Sequence, residues 1–98
     1  MNVVSKSGLK RMIRQHPQAE SELLAWYKAS RSAFWNSLAD VRSVFPTADL
    51  VSGVLIFNIL RNDLRLIAVA AFKYQRLYLK ALLTHKQYDR KEWMKWAR

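Results

Sequence analysis

The chain has 98 residues, 51% of them apolar and 12% aromatic, which is enough for one compact core and too apolar for disorder. Its 17 Lys and Arg against 7 Asp and Glu leave a net charge of +10, so a polyanion, nucleic acid or a membrane surface, is the natural partner; the plainer alternatives are an acidic protein partner or mere solubility. There is no cysteine, which excludes disulfides and thiolate metal sites and suits a reducing cytoplasm.

The length predicts a single domain over 1–98. Leu50 to Leu60 is the longest uncharged stretch, short of the roughly 18 apolar residues a membrane span needs. Lys6, Lys10 and Arg11 have no apolar run behind them, so no signal peptide is expected.

The first half reads as helix. Ser5 or Ser7 can cap a helix that runs to about Gln15. Pro17 opens a second one, with Glu20 and Glu22 near its positive N-terminus. Leu23, Trp26, Tyr27, Ala33 and Phe34 recur at helical spacing and form its apolar stripe. Ser37 can cap a further short turn, Leu38 to Val44, which stops ahead of Pro46, so the first half holds two or three helices.

After Pro46 the pattern changes. Val54 to Leu60 is rich in β-branched and aromatic residues, and Arg61-Asn62-Asp63 follows as a turn. Leu64 to Phe72 is a second strand and Lys73 to Arg76 a second turn. Leu77 to Thr84 is a third strand. These predict an antiparallel meander. From His85 onward the expectation is a loop and then a short helix with Trp93 and Trp96 three residues apart. Helices followed by a meander predict an α+β fold: N-terminal helices on one face of an antiparallel sheet of three to four strands, the other face partly open.

Strict alternation divides each strand into faces. It groups Arg65, Ile67, Val69 and Ala71, and it groups Tyr78, Lys80, Leu82 and Thr84. Aligning the polar faces places Arg65, Tyr78, Lys80 and Thr84 together, with Asn58 from the first strand. Such cations among apolar neighbours suit a phosphate-binding groove; the plain alternative is that they are solvated.

The densest cluster of reactive residue types is Thr84-His85-Lys86-Gln87-Tyr88-Asp89-Arg90-Lys91, beginning at the end of a strand. His85 suits proton transfer near neutral pH. Tyr88 suits hydrogen-bond or proton donation. Lys86, Arg90 and Lys91 suit phosphate, and Asp89 can orient His85 or Tyr88, or cap the last helix. A lone histidine at a strand end is also compatible with a purely structural role. With only His16 and His85, few scattered carboxylates and no glycine-rich loop, no metal centre, cofactor or nucleotide loop is expected. Chemistry on RNA then takes the metal-free route, in which the 2′-OH attacks its adjacent phosphate; DNA lacks that hydroxyl.

Thr84-His85-Lys86-x-Tyr88-Asp89 resembles the signature ending the last strand of HigB toxins, a branch of the RelE-like superfamily. Phe45-Pro46-Thr47-Ala48-Asp49, Phe57-Asn58-Ile59 and Asn62-Asp63-Leu64-Arg65 resemble the family's preceding segments in register. The resemblance implies a RelE-like α+β fold. It implies an endoribonuclease that cleaves mRNA on the ribosome, in the cytoplasm. A HigA-like helix-turn-helix antitoxin would be the partner, with operator DNA met only through the toxin–antitoxin complex. By position it implies Arg65, His85, Tyr88 and Asp89 as catalytic residues, with Arg61, Asn62 and Lys80 nearby. Together with the groove and cluster readings, the expected RNA contacts are Asn58, Arg61, Asn62, Lys80, Lys86 and Lys91. Two positions depart from the family: Gln87, where an acid is common, and Leu60-Arg61, where small residues are common.

Two other readings stay open. A ParE-like gyrase poison shares the fold but needs no catalytic histidine. A non-catalytic nucleic-acid-binding module can stack bases on Trp93 and Trp96 among Lys91, Lys95 and Arg98; the competing role for those tryptophans is packing on the sheet.

Overall fold

The computed structural model describes residues 1–97; Arg98, one of the tail cations, lies outside them, as does the side chain of Lys6. Helix α1 spans Lys6–Gln15, and the Ser5 hydroxyl caps it by accepting from the Gly8 N–H at 3.1 Å. Pro17 begins a 3₁₀ turn, Pro17–Ala19, that leads into α2, Glu20–Ser32. Proline fits there because a first-turn N–H has no helical partner to lose. Leu23 and Trp26 of α2 are buried as the stripe predicts. Phe34 is not part of that stripe: Ala33 is extended, the helix has ended, and Phe34 is 72% exposed. Helix α3, Leu38–Val44, follows Ser37, yet the Ser37 side chain caps nothing. Instead the Asp40 carboxylate accepts from the Asn36 N–H at 2.8 Å.

The strands are β1 (Asn2–Val4), β2 (Asp49–Val51), β3 (Val54–Ile59), β4 (Leu64–Ala71) and β5 (Arg76–Thr84), in spatial order β1-β5-β4-β3-β2. The predicted meander is the centre of this sheet. Two three-residue edge strands raise the number to five, where three or four were expected. Both are too short to show alternation, and β1 pairs in parallel with β5 from the far end of the chain.

One irregularity changes the faces. Ile67 lies opposite Ala81, but Ala68 lies opposite Leu79, so Lys80 is the extra residue of a β-bulge. Past the bulge the alternation of β5 shifts by one. Ala81 and Leu83 therefore share the face of Ile67 and Arg65, while Leu82 and Thr84 lie with Leu66 and Leu64. Thr84 is thus on the opposite face from the one strict alternation predicts; Tyr78, opposite Val69, stays on the Arg65 face.

The Leu66 face carries the main core. Leu55, Phe57, Leu66, Ala68 and Leu77 pack there against Leu9, Met12, Leu23 and Trp26 of α1 and α2. Trp26 and Phe45 each meet Phe57 edge-on with ring centroids 5.3 Å apart, the arrangement the ring quadrupoles favour. The other face holds a smaller core of Val54, Ile56, Ile67 and Trp93. It is covered by the C-terminal segment rather than left open. That segment does not begin as the expected loop. Helix α4, His85–Asp89, continues directly from β5, and a 3₁₀ turn follows at Glu92–Trp96. A capping box explains the helix: the Gln87 N–H donates to the Thr84 hydroxyl at 3.2 Å, and the Thr84 N–H donates to the Gln87 side-chain oxygen at 2.9 Å. Gln87 is therefore exposed and structural, and it fills the role that an acid at this position would also fill.

Candidate active site

At one end of the sheet, the turn between β3 and β4, the start of β4 and helix α4 come together. Leu60 and Arg61 in that turn are both left-handed, with φ of 50° and 61°. This conformation costs a bulky L-residue about 1–2 kcal/mol, so something must hold it. The Glu22 carboxylate of α2 accepts from the Leu60 N–H at 3.0 Å, and the Asp63 N–H donates to the Leu60 carbonyl at 3.1 Å. The sequence shows Glu22 only as a first-turn carboxylate; no local signal ties it to a turn 38 residues on.

The turn in turn positions Arg65. Its Nη1 donates to the Asn62 carbonyl at 2.6 Å, and its Cζ lies 5.3 Å from the centre of the Tyr88 ring. The remaining terminal nitrogen, Nη2, is 3.5 Å from His85 Nδ1. Tyr88 is also stacked on Trp93, with centroids 5.3 Å apart and ring planes 3° from parallel. Trp93 locks this arrangement by donating its indole N–H to the Tyr88 carbonyl at 3.1 Å. The second core thereby supports the cluster from below.

His85 stands between two opposite charges. One helical turn on, Asp89 Oδ2 lies 3.5 Å from His85 Nε2. Guanidinium can only donate, so the Arg65 contact is satisfied when Nδ1 carries a lone pair. The proton then sits on Nε2, facing Asp89. Both contacts are long, and the His85 and Asp89 side chains are more than half exposed (63% and 61%).

All four residues expected to be catalytic, Arg65, His85, Tyr88 and Asp89, thus lie in one connected cluster. The expected RNA contacts are more dispersed. Asn58 is the direct cross-strand neighbour of Arg65. Asn62 supplies its carbonyl to Arg65, and Lys86 is exposed beside His85. Arg61 sits at the turn tip, lining a shallow cavity with Glu22, Leu60 and Asp63. Lys91 is exposed and left-handed, φ 60°, just beyond α4. Lys80 stands apart: three residues along β5 from Leu83, it is roughly 10 Å away by strand rise. Trp93 is buried and Trp96 partly buried on the second core, which is the packing role rather than the stacking one for Trp93.

Among the described residues no three His, Cys, Asp or Glu side chains converge as a metal site would require, and no helix is long and apolar enough to cross a membrane.

Comparison with known proteins identifies the family. The family model for the HigB toxin, described as the RelE-like toxic component of a toxin–antitoxin system, matches residues 19–91. The "mRNA interferase toxin HigB" of Escherichia coli (strain K12) is 28% identical over 92 residues, covering 91% of this chain and 88% of that protein. The "mRNA interferase HigB" of Shigella flexneri aligns equally well, and that of Escherichia coli O6:H1 (strain CFT073) is 24% identical over 93 residues, covering 92% and 90%. The matched span runs from the start of α2, where Glu22 grips the turn, to the end of the His85 helix. Its length alone places this chain in the HigB toxin family, and its partner is accordingly the antitoxin of a toxin–antitoxin system.

Proposed function

We propose that this chain, acting as one toxin domain, cleaves mRNA at the Arg65–His85–Tyr88–Asp89 cluster. The observation that carries the proposal is the meeting of Arg65 and His85 at 3.5 Å from elements 20 residues apart, with Asp89 on the far side of the imidazole. An anion-binding group beside a histidine oriented by a carboxylate is what RNA self-cleavage needs. The relatives named mRNA interferases support the same substrate.

In this reading a phosphate docks on Arg65, whose fork is held by Asn62 and the Tyr88 ring. The His85 Nδ1 lone pair accepts the 2′-OH proton, and Asp89 stabilises the imidazolium that forms. The 2′ oxygen bonds to phosphorus and the bond to the 5′ oxygen breaks, with Tyr88 donating the proton that the leaving oxygen takes. The products are a cyclic 2′,3′-phosphate and a free 5′-OH. Asn58, Arg61, Asn62, Lys86 and Lys91 hold the RNA around the break, and Lys80 holds it farther along β5. The reaction uses no metal or cofactor and runs in the cytoplasm on mRNA presented by the ribosome. A HigA-like helix-turn-helix antitoxin silences it, and operator DNA is bound only through that complex.

The test is induced expression in a bacterial host, with primer extension on abundant mRNAs, for wild type, His85→Ala and Arg65→Ala. New 5′ ends inside coding frames, carrying 5′-OH and lost in both folded variants, are the expected result. Growth arrest with intact mRNA would instead indicate a gyrase-type target and end the proposal.

A further inference from the structure

Two cavities lie along the outer face of β5, and they share Trp96. The first, about 250 Å³, has Ala81 and Leu83 as its floor, Arg90 and Lys95 among its walls, and Glu92 as its one carboxylate. It begins beside α4, where Gln87 also lines it, one residue from Tyr88. The second, about 320 Å³, is lined by Val69, Tyr78, Lys80 and Trp96. The bulge makes this continuity possible. It keeps Lys80 on the outer face and lets β5 resume with Ala81 and Leu83 on that same face.

We propose that this groove is a second RNA subsite, in which a nucleotide downstream or upstream of the cut stacks on Trp96 and Tyr78 while Lys80, Arg90 and Lys95 hold the connecting phosphates. The inference rests on the cleavage reading above and extends it. Three cations face one carboxylate along the groove, so its field favours a polyanion. Its distal end has two aromatic rings, and every base has a π-face to offer them. Lys95 Nζ sits over the Trp96 ring, 4.9 Å from its centre, so a base stacking there takes the place of the ammonium and moves it to a flanking phosphate. An acidic protein segment would satisfy the cations but has no matching use for both rings.

The spacing sets the length of RNA involved. Arg65 and Val69, which mark the two ends, are four residues apart on β4, roughly 13 Å by strand rise. A strand must therefore extend past the nucleotides at the cut to reach Trp96.

The experiment compares binding of a 3-mer and an 8-mer oligoribonucleotide, both fully 2′-O-methylated so that neither is cut. Fluorescence anisotropy follows wild type, His85→Ala, Trp96→Leu and the double variant Lys80→Ala/Lys95→Ala. Trp96→Leu keeps an apolar group on the second core, and both residues of the double variant are exposed, so the fold is preserved in at least one test. Wild type should bind the 8-mer more tightly than the 3-mer. Trp96→Leu should weaken the 8-mer by about tenfold and leave the 3-mer unchanged. The double variant should lower the salt slope for the 8-mer by about 1.4, at about 0.7 per lost phosphate contact on a single strand. Equal affinity of wild type for both lengths overturns the subsite, as does equal loss for both lengths in Trp96→Leu. Competition by poly-glutamate of matched charge as strong as by RNA overturns it in favour of an acidic protein segment. The two readings fail separately. Groove variants without effect beside a cleavage-dead His85→Ala remove only the subsite. A groove-dependent 8-mer with no cleavage by wild type in the host removes only the nuclease.

Discussion

The two faces of the sheet are made from the same strands and do different work. On the helix-covered face, Leu55, Phe57, Leu66 and Leu77 are essentially unexposed in a core of apolar side chains. On the tail-covered face, a small core of four buried residues gives way within one strand step to Arg65, Asn58 and the α4 cluster. One face can be optimised for burial because nothing on it must reach solvent. The other leaves Arg65 and His85 accessible, and its order comes from specific contacts: a guanidinium held by a carbonyl, a tyrosine stacked on a tryptophan, a capping box. The main core and the proposed site are thus separated by the thickness of one sheet.

This contrast can be broken at several points. Phe57→Ala empties the centre of the helix-covered core, where two rings meet it edge-on. It should cost about 3–5 kcal/mol, read from urea unfolding, and leave little folded protein. Trp93→Ala strikes the other core. Because the tail can undock instead of leaving a cavity, the expected cost is about 1–3 kcal/mol, with cleavage lost through the displaced Tyr88. Should urea unfolding instead show a loss equal to that of Phe57→Ala, the two faces form one cooperative unit and the separation is wrong.

Glu22→Ala removes the clip on the strained turn. A loss of about 1–2 kcal/mol is expected, with reduced cleavage, while Glu22→Gln keeps an acceptor and should recover most of both. Recovery by Gln separates a positioning role from a charge effect of the helix terminus. The smallest change has the opposite sign. The Ser30 hydroxyl is buried on α2 and lacks a hydrogen-bond partner, so Ser30→Ala should stabilise the fold by up to about 1 kcal/mol and leave cleavage untouched.

Much of the molecule was legible before folding was considered. A serine cap ahead of α1, the Pro17 start, the bounds of Leu38–Val44 and the three central strands all follow from residues within a few positions of one another. Thr84-x-x-Gln87 is also a local signal, a capping box that turns the expected loop into α4. Its neighbours drew attention as chemistry, which hid its role as helix punctuation. The cluster of His85, Tyr88 and Asp89 was visible because one turn of helix gathers residues one, three and four apart. Arg65 came from the resemblance and from alternation, and strand pairing brings it to His85.

What the sequence alone determined is therefore the kind of element in most places and the residue types able to carry chemistry, since caps, prolines and periodicity act over short range. Only the tertiary structure decided the bulge at Lys80, the edge strands β1 and β2, the clip from Glu22 to Leu60 and the stacking of Tyr88 on Trp93. Each of these depends on partners distant in the chain. A bulge adds no residue pattern of its own, and a three-residue edge strand exists only because a neighbour offers it hydrogen bonds. Their formation depends on the summed fit of the whole sheet, which no window of sequence contains.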